Sequence, residues 1–131
     1  GAALREAVDA YHATRRHPDL PTFTIHPAQG VQAWWGSPES ARPGCYVYFD
    51  AAGQILYVGK ASMGASLGSR MAAHDHAEPR AWWRDAADFV VLVTVAEPFE
   101  APSLEEYLID VLGPPGNVLG LGAVRVAAGP P

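Results

Sequence analysis

At 131 residues the chain has the length of one domain and enough of it to bury a core. With 49% apolar and 18% charged residues it reads as globular rather than disordered, and a net charge of −5 excludes a binder that grips nucleic acid by nonspecific electrostatics alone. The single cysteine, Cys45, excludes an internal disulfide framework; no basic start leads into an apolar run, as a signal peptide requires, and no apolar stretch approaches the ~18–20 residues that span a bilayer. A cytoplasmic setting without a membrane is the expectation.

Residues 3–16 carry Leu4, Val8 and Tyr11 on one helical face, and Pro18 and Pro21 end that helix. Residues 18–43 are rich in proline and poor in periodicity, so they read as a wrapping segment with Trp34-Trp35 as an anchor on the core. Cys45 to Phe49 and Gln54 to Val58 read as two strands joined by the turn Asp50-Ala51-Ala52-Gly53. A small-residue loop, Gly59 to Ser66, leads into a helix from Leu67 to Ala77, and Pro79 to Ala86 forms a second. Asp88 to Ala96 is a third strand. Pro102 suits the first position of a last helix that runs to Leu112, where Gly113-Pro114-Pro115-Gly116 stops it. The order β-β-α-α-β-α predicts an α+β domain, with a small three-stranded, mostly antiparallel sheet flanked by helices and an N-terminal helical extension. The expected divisions are residues 1–42 (N-terminal helix and wrapping segment), 43–118 (the main domain) and 119–131 (a tail).

Charge is unevenly spread. From Lys60 to Arg84 there are four basic residues, Lys60, Arg70, Arg80 and Arg84, and two acidic ones, Asp75 and Glu78; from Asp88 onward there are six acidic residues and one Arg. The middle stretch can face a phosphate. In the last helix Leu104, Tyr107, Leu108, Val111 and Leu112 form the buried stripe, Glu106 and Asp110 point to water, and Glu105 points along the edge of the apolar face. Such a carboxylate needs a cation, a metal ion or a basic residue, or it is a rim group bridged to Arg70. Arg70 and His74, four residues apart, share a face; Arg70 is either a phosphate fork or a side chain that lays its stem on the apolar stripe. Tyr46, Tyr48 and Tyr57 on the hairpin read as core or cross-strand aromatics, and Lys60 as a loop charge. His74-x-His76 is a poor zinc signature, because the two point apart and no cysteine completes a set.

Four elements in order then resemble a known family. Gly44-Cys45-Tyr46 and Tyr57-Val58-Gly59-Lys60 are similar to the paired Gly-Ile-Tyr and Tyr-Ile-Gly signatures of the GIY-YIG nucleases. Leu67-Gly68-Ser69-Arg70 is similar to the family's Leu-x-x-Arg helix, and His74 sits where some members carry Tyr or His. Leu104-Glu105, Leu108-Ile109, Pro114 and Asn117 match the closing element in order and spacing. Cys45 in place of an aliphatic residue and Val58 in place of Ile are conservative departures. The loop Ala61–Ser66 is longer than in the repair-type members.

The resemblance implies a metal-dependent endonuclease that hydrolyses phosphodiester bonds, with DNA favoured over RNA. It implies Tyr46, Tyr57, Arg70, His74 and Glu105 as the catalytic set, and Lys60, Arg70 and Asn117 as substrate-binding or orienting groups. It further implies one Mg²⁺ or Mn²⁺ ion on Glu105, with water and phosphate oxygens as the other ligands. Alternatives on the same scaffold are a ribonuclease or toxin-like effector and a non-catalytic binding module. The absence of a recognisable DNA-binding module leaves room for a specificity domain or partner protein, and for the chain to be part of a longer protein.

Overall fold

A β-hairpin organises the molecule. Strands β2 (Gly44–Phe49) and β3 (Ile55–Ala61) pair antiparallel, with Tyr46 opposite Gly59 and Tyr48 opposite Tyr57. Because side chains alternate along a strand, Tyr46, Tyr48 and Tyr57 share one face, while Cys45, Val47, Val58 and Lys60 share the other. The structure is a computed structural model that describes residues 1–15, 22–29 and 34–117. The expected helix stop at Pro18 and Pro21, and the expected tail 119–131, lie outside the described residues.

Among the described residues four strands form the sheet, one more than the three expected. The strand order is β1-β4-β2-β3, all antiparallel, with β1 at Phe23–Pro27 and β4 at Phe89–Thr94. Strand β1 lies inside the stretch expected to be irregular. It is five residues long and ends on Pro27, and a strand that can afford proline belongs at a sheet edge. Central strand β4 is nearly continuous in apolar residues, as burial on both faces requires.

Helices cover both faces. On one side α1 (Ala2–Arg15) and α4 (Glu100–Leu112) pack over Cys45, Val47, Val58, Val91 and Val93. The α1 face Leu4, Val8 and Tyr11 is buried as its spacing predicts, and Tyr11 meets Tyr107 with ring centroids 6.0 Å apart. Within α4, Ala101, Leu104 and Leu108 are buried, whereas Val111, expected on the stripe, is 50% exposed. Helix α4 begins two residues before Pro102, which sits in the first turn, where a missing N–H costs nothing. The Glu100 carboxylate accepts the Glu97 N–H at 2.8 Å and so caps the turn.

On the opposite side α2 (Leu67–Asp75) and α3 (Trp82–Ala86) cover Tyr46, Tyr48, Val90 and Leu92. Of the expected anchor pair, Trp34 is buried against this face, and Trp35 stacks on it at 4.9 Å but stays half exposed. Helix α2 starts on a reciprocal cap: Ser69 N–H donates to Ser66 Oγ, and Ser66 N–H donates to Ser69 Oγ. In the sequence Arg84 groups with the charges that can face a phosphate. It is instead 1% exposed; its Nε donates to Asp75 Oδ1 at 2.5 Å, and its Nη2 donates to the Ala28 carbonyl. Gln29 donates to the carbonyls of Arg84 and Ala87, so the exit of β1, the end of α2 and α3 are tied together.

Removing one partner of a buried ion pair strands the other charge. Asp75→Ala is therefore expected to cost about 3–5 kcal/mol of unfolding free energy, read as a lower denaturant midpoint at unchanged m-value. A loss below about 1 kcal/mol would mean that Arg84 is solvated without Asp75.

Candidate active site at the outer edge of the hairpin

The site begins with Gly59. A Cβ there would lie 2.2 Å from Tyr46 Cζ and 2.4 Å from its Oη, so only glycine lets the Tyr46 ring lie flat across β3. The phenol thereby reaches from the middle of the sheet toward its outer strand. There its Oη is 2.6 Å from Nε2 of His74, one turn beyond Arg70 on α2. Tyr57 lies beside both, with ring centroids 6.3 Å from Tyr46 and 5.3 Å from His74.

The indole of Trp83 closes the back of this cluster. It stacks on Tyr57 at 3.9 Å and 2°, meets His74 edge-on at 4.9 Å, and touches Tyr48 at 5.2 Å. Sequence reasoning gave Trp83 no role. The signal available was a Trp-Trp pair in a short helix beside the Arg-His face, which spacing alone does not aim at a site.

Glu105 approaches from the other layer. Its Oε1 lies 3.7 Å from Lys60 Nζ at the end of β3, and its side chain is 19% exposed. The basic partner is thus Lys60, not Arg70. Burial raises the Glu105 carboxyl above the ordinary Glu range, and Lys60 and Arg70 pull it back down. Arg70 is exposed and has no ion-pair partner among the described residues. Its charge nonetheless acts on Tyr46, Tyr57, His74 and Glu105, and the Glu105 charge acts on both tyrosines. The guanidinium, the carboxylate, the two phenols and the imidazole thus lie near enough to act on one another electrostatically.

Protonation follows from burial. Both Tyr46 and Tyr57 are held above the usual phenol range, chiefly by desolvation. His74 is lowered to about 4, first by burial and then by Arg70. At neutral pH the pair is thus a protonated phenol beside a neutral imidazole. Asn117, in the 3₁₀ turn Pro115–Asn117, has both ends of its amide on one residue: Oδ1 accepts Val58 N–H and Nδ2 donates to Val58 C=O, each at 2.7 Å. That clamp fixes β3 between Tyr57 and Gly59. Cys45 faces the α4 layer, where burial pushes its thiol up.

Among the described residues no three His, Cys, Asp or Glu side chains gather as a metal cage. Glu105, the carboxylate that faces Lys60 here, suits a hard cation that keeps most of its shell as water or phosphate oxygen, and does not suit zinc. Its 3.7 Å spacing from Lys60 is longer than a tight charged hydrogen bond.

The paired hairpin, the capped helix α2 and the closing helix α4 have the arrangement of a GIY-YIG domain. Within that class, the model described as the UvrC-like GIY-YIG domain matches residues 42–118, and the chain belongs to that family. It is 38% identical over 85 residues to UvrABC system protein C of Hahella chejuensis, which covers 61% of this chain but only 13% of that protein's length. The crystal structure of the GIY-YIG N-terminal endonuclease domain of UvrC from Thermotoga maritima, bound to its catalytic magnesium, superposes with a TM-score of 0.53 at 28% identity. It covers 62% of this chain and 89% of that one. A tyrosine-to-phenylalanine mutant of the same domain, also bound to its divalent cation, superposes with a TM-score of 0.53 at 26% identity, over 62% of this chain and 88% of that one. Among the described residues no helix is long and apolar enough to cross a membrane.

Proposed function

We propose that the domain hydrolyses phosphodiester bonds in DNA with one divalent cation, Mg²⁺ or Mn²⁺, held by Glu105. The observation that carries this reading is the Tyr46–His74 contact that Gly59 permits, with Tyr57 beside it and the charges of Arg70 and Glu105 acting on both phenols. A cation bound at Glu105 would supply positive charge for the phosphate and for the departing 3′ oxygen. Arg70, exposed and without an ion-pair partner among the described residues, forks a nonbridging phosphate oxygen. Lys60 adds charge beside it.

A free phenol is only ~0.1% ionised at neutral pH, and burial lowers that further. A relay avoids a standing phenolate. Tyr46 takes a proton from the attacking water as its own proton passes to His74 Nε2, which is free to accept because the imidazole is neutral. Tyr57 lines the same space, and Asn117 holds the strand that carries it. Residues 43–118 form the nuclease unit in this reading, with residues 1–42 as its N-terminal helix and wrapping segment. A cytoplasmic repair-type incision, with partners beyond this chain, is the setting that the UvrC likeness supports.

The test is cleavage of plasmid, single-stranded DNA and RNA with Mg²⁺ or Mn²⁺, with chelator and Glu105→Ala as controls. Cation-dependent nicking of DNA that Glu105→Ala lacks is the expected result. Cleavage confined to RNA overturns the substrate, and cleavage in chelator overturns the metal.

His74 also sets a pH dependence. Its pKa is lowered from 6.5 to about 4 in the fold, so between those values the unfolded chain binds the extra proton. Stability should fall as pH drops from about 6.5 to about 4 and lose nothing further through this group below that. Chemical denaturation across that window should show a shallower slope in His74→Gln than in wild type. Equal slopes would mean that His74 is solvated.

A further inference from the structure

The residues that the motifs single out do not explain what holds them in register. Tyr57 is on β3, His74 on α2 and Asn117 on the 3₁₀ turn after α4, three separate elements of the chain. One side chain meets the first two and lies against Gly116, the residue before Asn117. The Trp83 indole, 5% exposed, lies parallel on Tyr57 at 3.9 Å and edge-on to His74 at 4.9 Å. Its ring also forms the wall against which Gly116 closes: a Cβ on Gly116 would be 2.8 Å from Trp83 Cδ1 and 2.6 Å from the Leu56 carbonyl. That close approach brings the neighbouring Asn117 within reach of Val58. Trp83 is itself fixed from behind, since the next residue, Arg84, is buried and bound to Asp75, the neighbour of His74.

We propose that Trp83 is a positioning residue for the reaction: its indole sets the relative placement of the Tyr57 phenol, the His74 imidazole and the Asn117 clamp. The inference rests on the nuclease reading above for its kinetic arm only. Burial keeps Trp83 from touching a substrate, so it acts through its neighbours. Stacked and edge-on ring pairs each favour one geometry, and a misplacement near 1 Å at a reacting group is enough to cost about 100-fold.

The experiment uses the full chain with Trp83→Leu, which fills apolar space without a ring, and Trp83→Phe, which keeps one. Duplex DNA cleavage is measured beside NMR of ¹³C-labelled Tyr and His side chains. For Trp83→Leu, kcat should fall at least about tenfold with KM within about twofold of wild type. The Tyr57 and His74 resonances should move while Tyr107, in the other layer, stays in place. Trp83→Phe should recover cleavage to within about threefold of wild type. Wild-type kcat in Trp83→Leu overturns the proposal. So does a fall in kcat shared equally by both variants with the Tyr57 and His74 resonances unmoved. Should Trp83→Leu fail to fold, Trp83→Phe decides: its smaller ring must still shift both resonances, and an unchanged spectrum is fatal to the idea. A wild-type chain that cleaves no substrate overturns the nuclease reading instead, while the resonance shifts still decide whether Trp83 positions the pair.

Discussion

Replacing Glu105 with Ala is expected to lower kcat for DNA cleavage by about three orders of magnitude or more, roughly 4 kcal/mol of barrier. Glu105 is the inward carboxylate of the cluster, so no second protein ligand remains to hold a cation there. The fold should survive. Burial raises the carboxyl's pKa, which means that its charged form is unfavourably placed, and Lys60 at 3.7 Å and the charge of Arg70 offset this only in part. Deleting it removes a liability along with a weak pair, so the melting temperature should stay level or rise slightly. Calorimetric titration with Mn²⁺ should lose its binding signal in the same variant. A Glu105→Ala protein that still cleaves in a cation-dependent manner would move the metal elsewhere and dismantle the mechanism above.

Arg70→Ala is expected to slow cleavage by about 10²–10³-fold, the loss typical of removing one charged donor from a developing oxyanion. Arg70 is exposed and makes no ion pair among the described residues, so its removal should change stability by less than about 0.5 kcal/mol. Arg70→Lys should recover only part of the rate, because a point charge replaces a planar fork. Single-turnover rates at saturating DNA separate this from weaker binding. An effect near twofold would make Arg70 a surface charge whose stem packs on α2 and nothing more.

Much of this site is legible in the sequence because local geometry carries it. Period-two alternation puts Tyr46 and Tyr48 on one face, the 3.6-residue period puts Arg70 over His74, and the same period turns Glu105 inward and Glu106 outward. What stayed hidden depends on partners distant in the chain. Strand β1 is short and bounded by proline, so nothing local distinguishes it from a linker; only pairing with Val90 to Val93 makes it a strand. Arg84 looked like one more phosphate-facing charge, since composition does not reveal that Asp75 waits nine residues away in a buried niche. Lys60, rather than Arg70, meets Glu105 because β3 continues to Ala61, past the point where the turn-like Gly-Lys was read as loop. The exposure of Val111 is of the same kind: an apolar residue at the stripe's margin stays wet because nothing in the described structure covers it. Trp83 belongs here too, as a tertiary contact with no periodic signature.

The amide of Asn117 has one more consequence. Among the described residues strand β3 ends the sheet, and an open strand edge offers its backbone to any passing extended chain. With Oδ1 and Nδ2 on the Val58 backbone, Asn117 behaves as a one-residue dummy strand and blocks the centre of that edge. The group that steadies the tyrosine strand thus also guards the protein against aggregation through β-sheet growth.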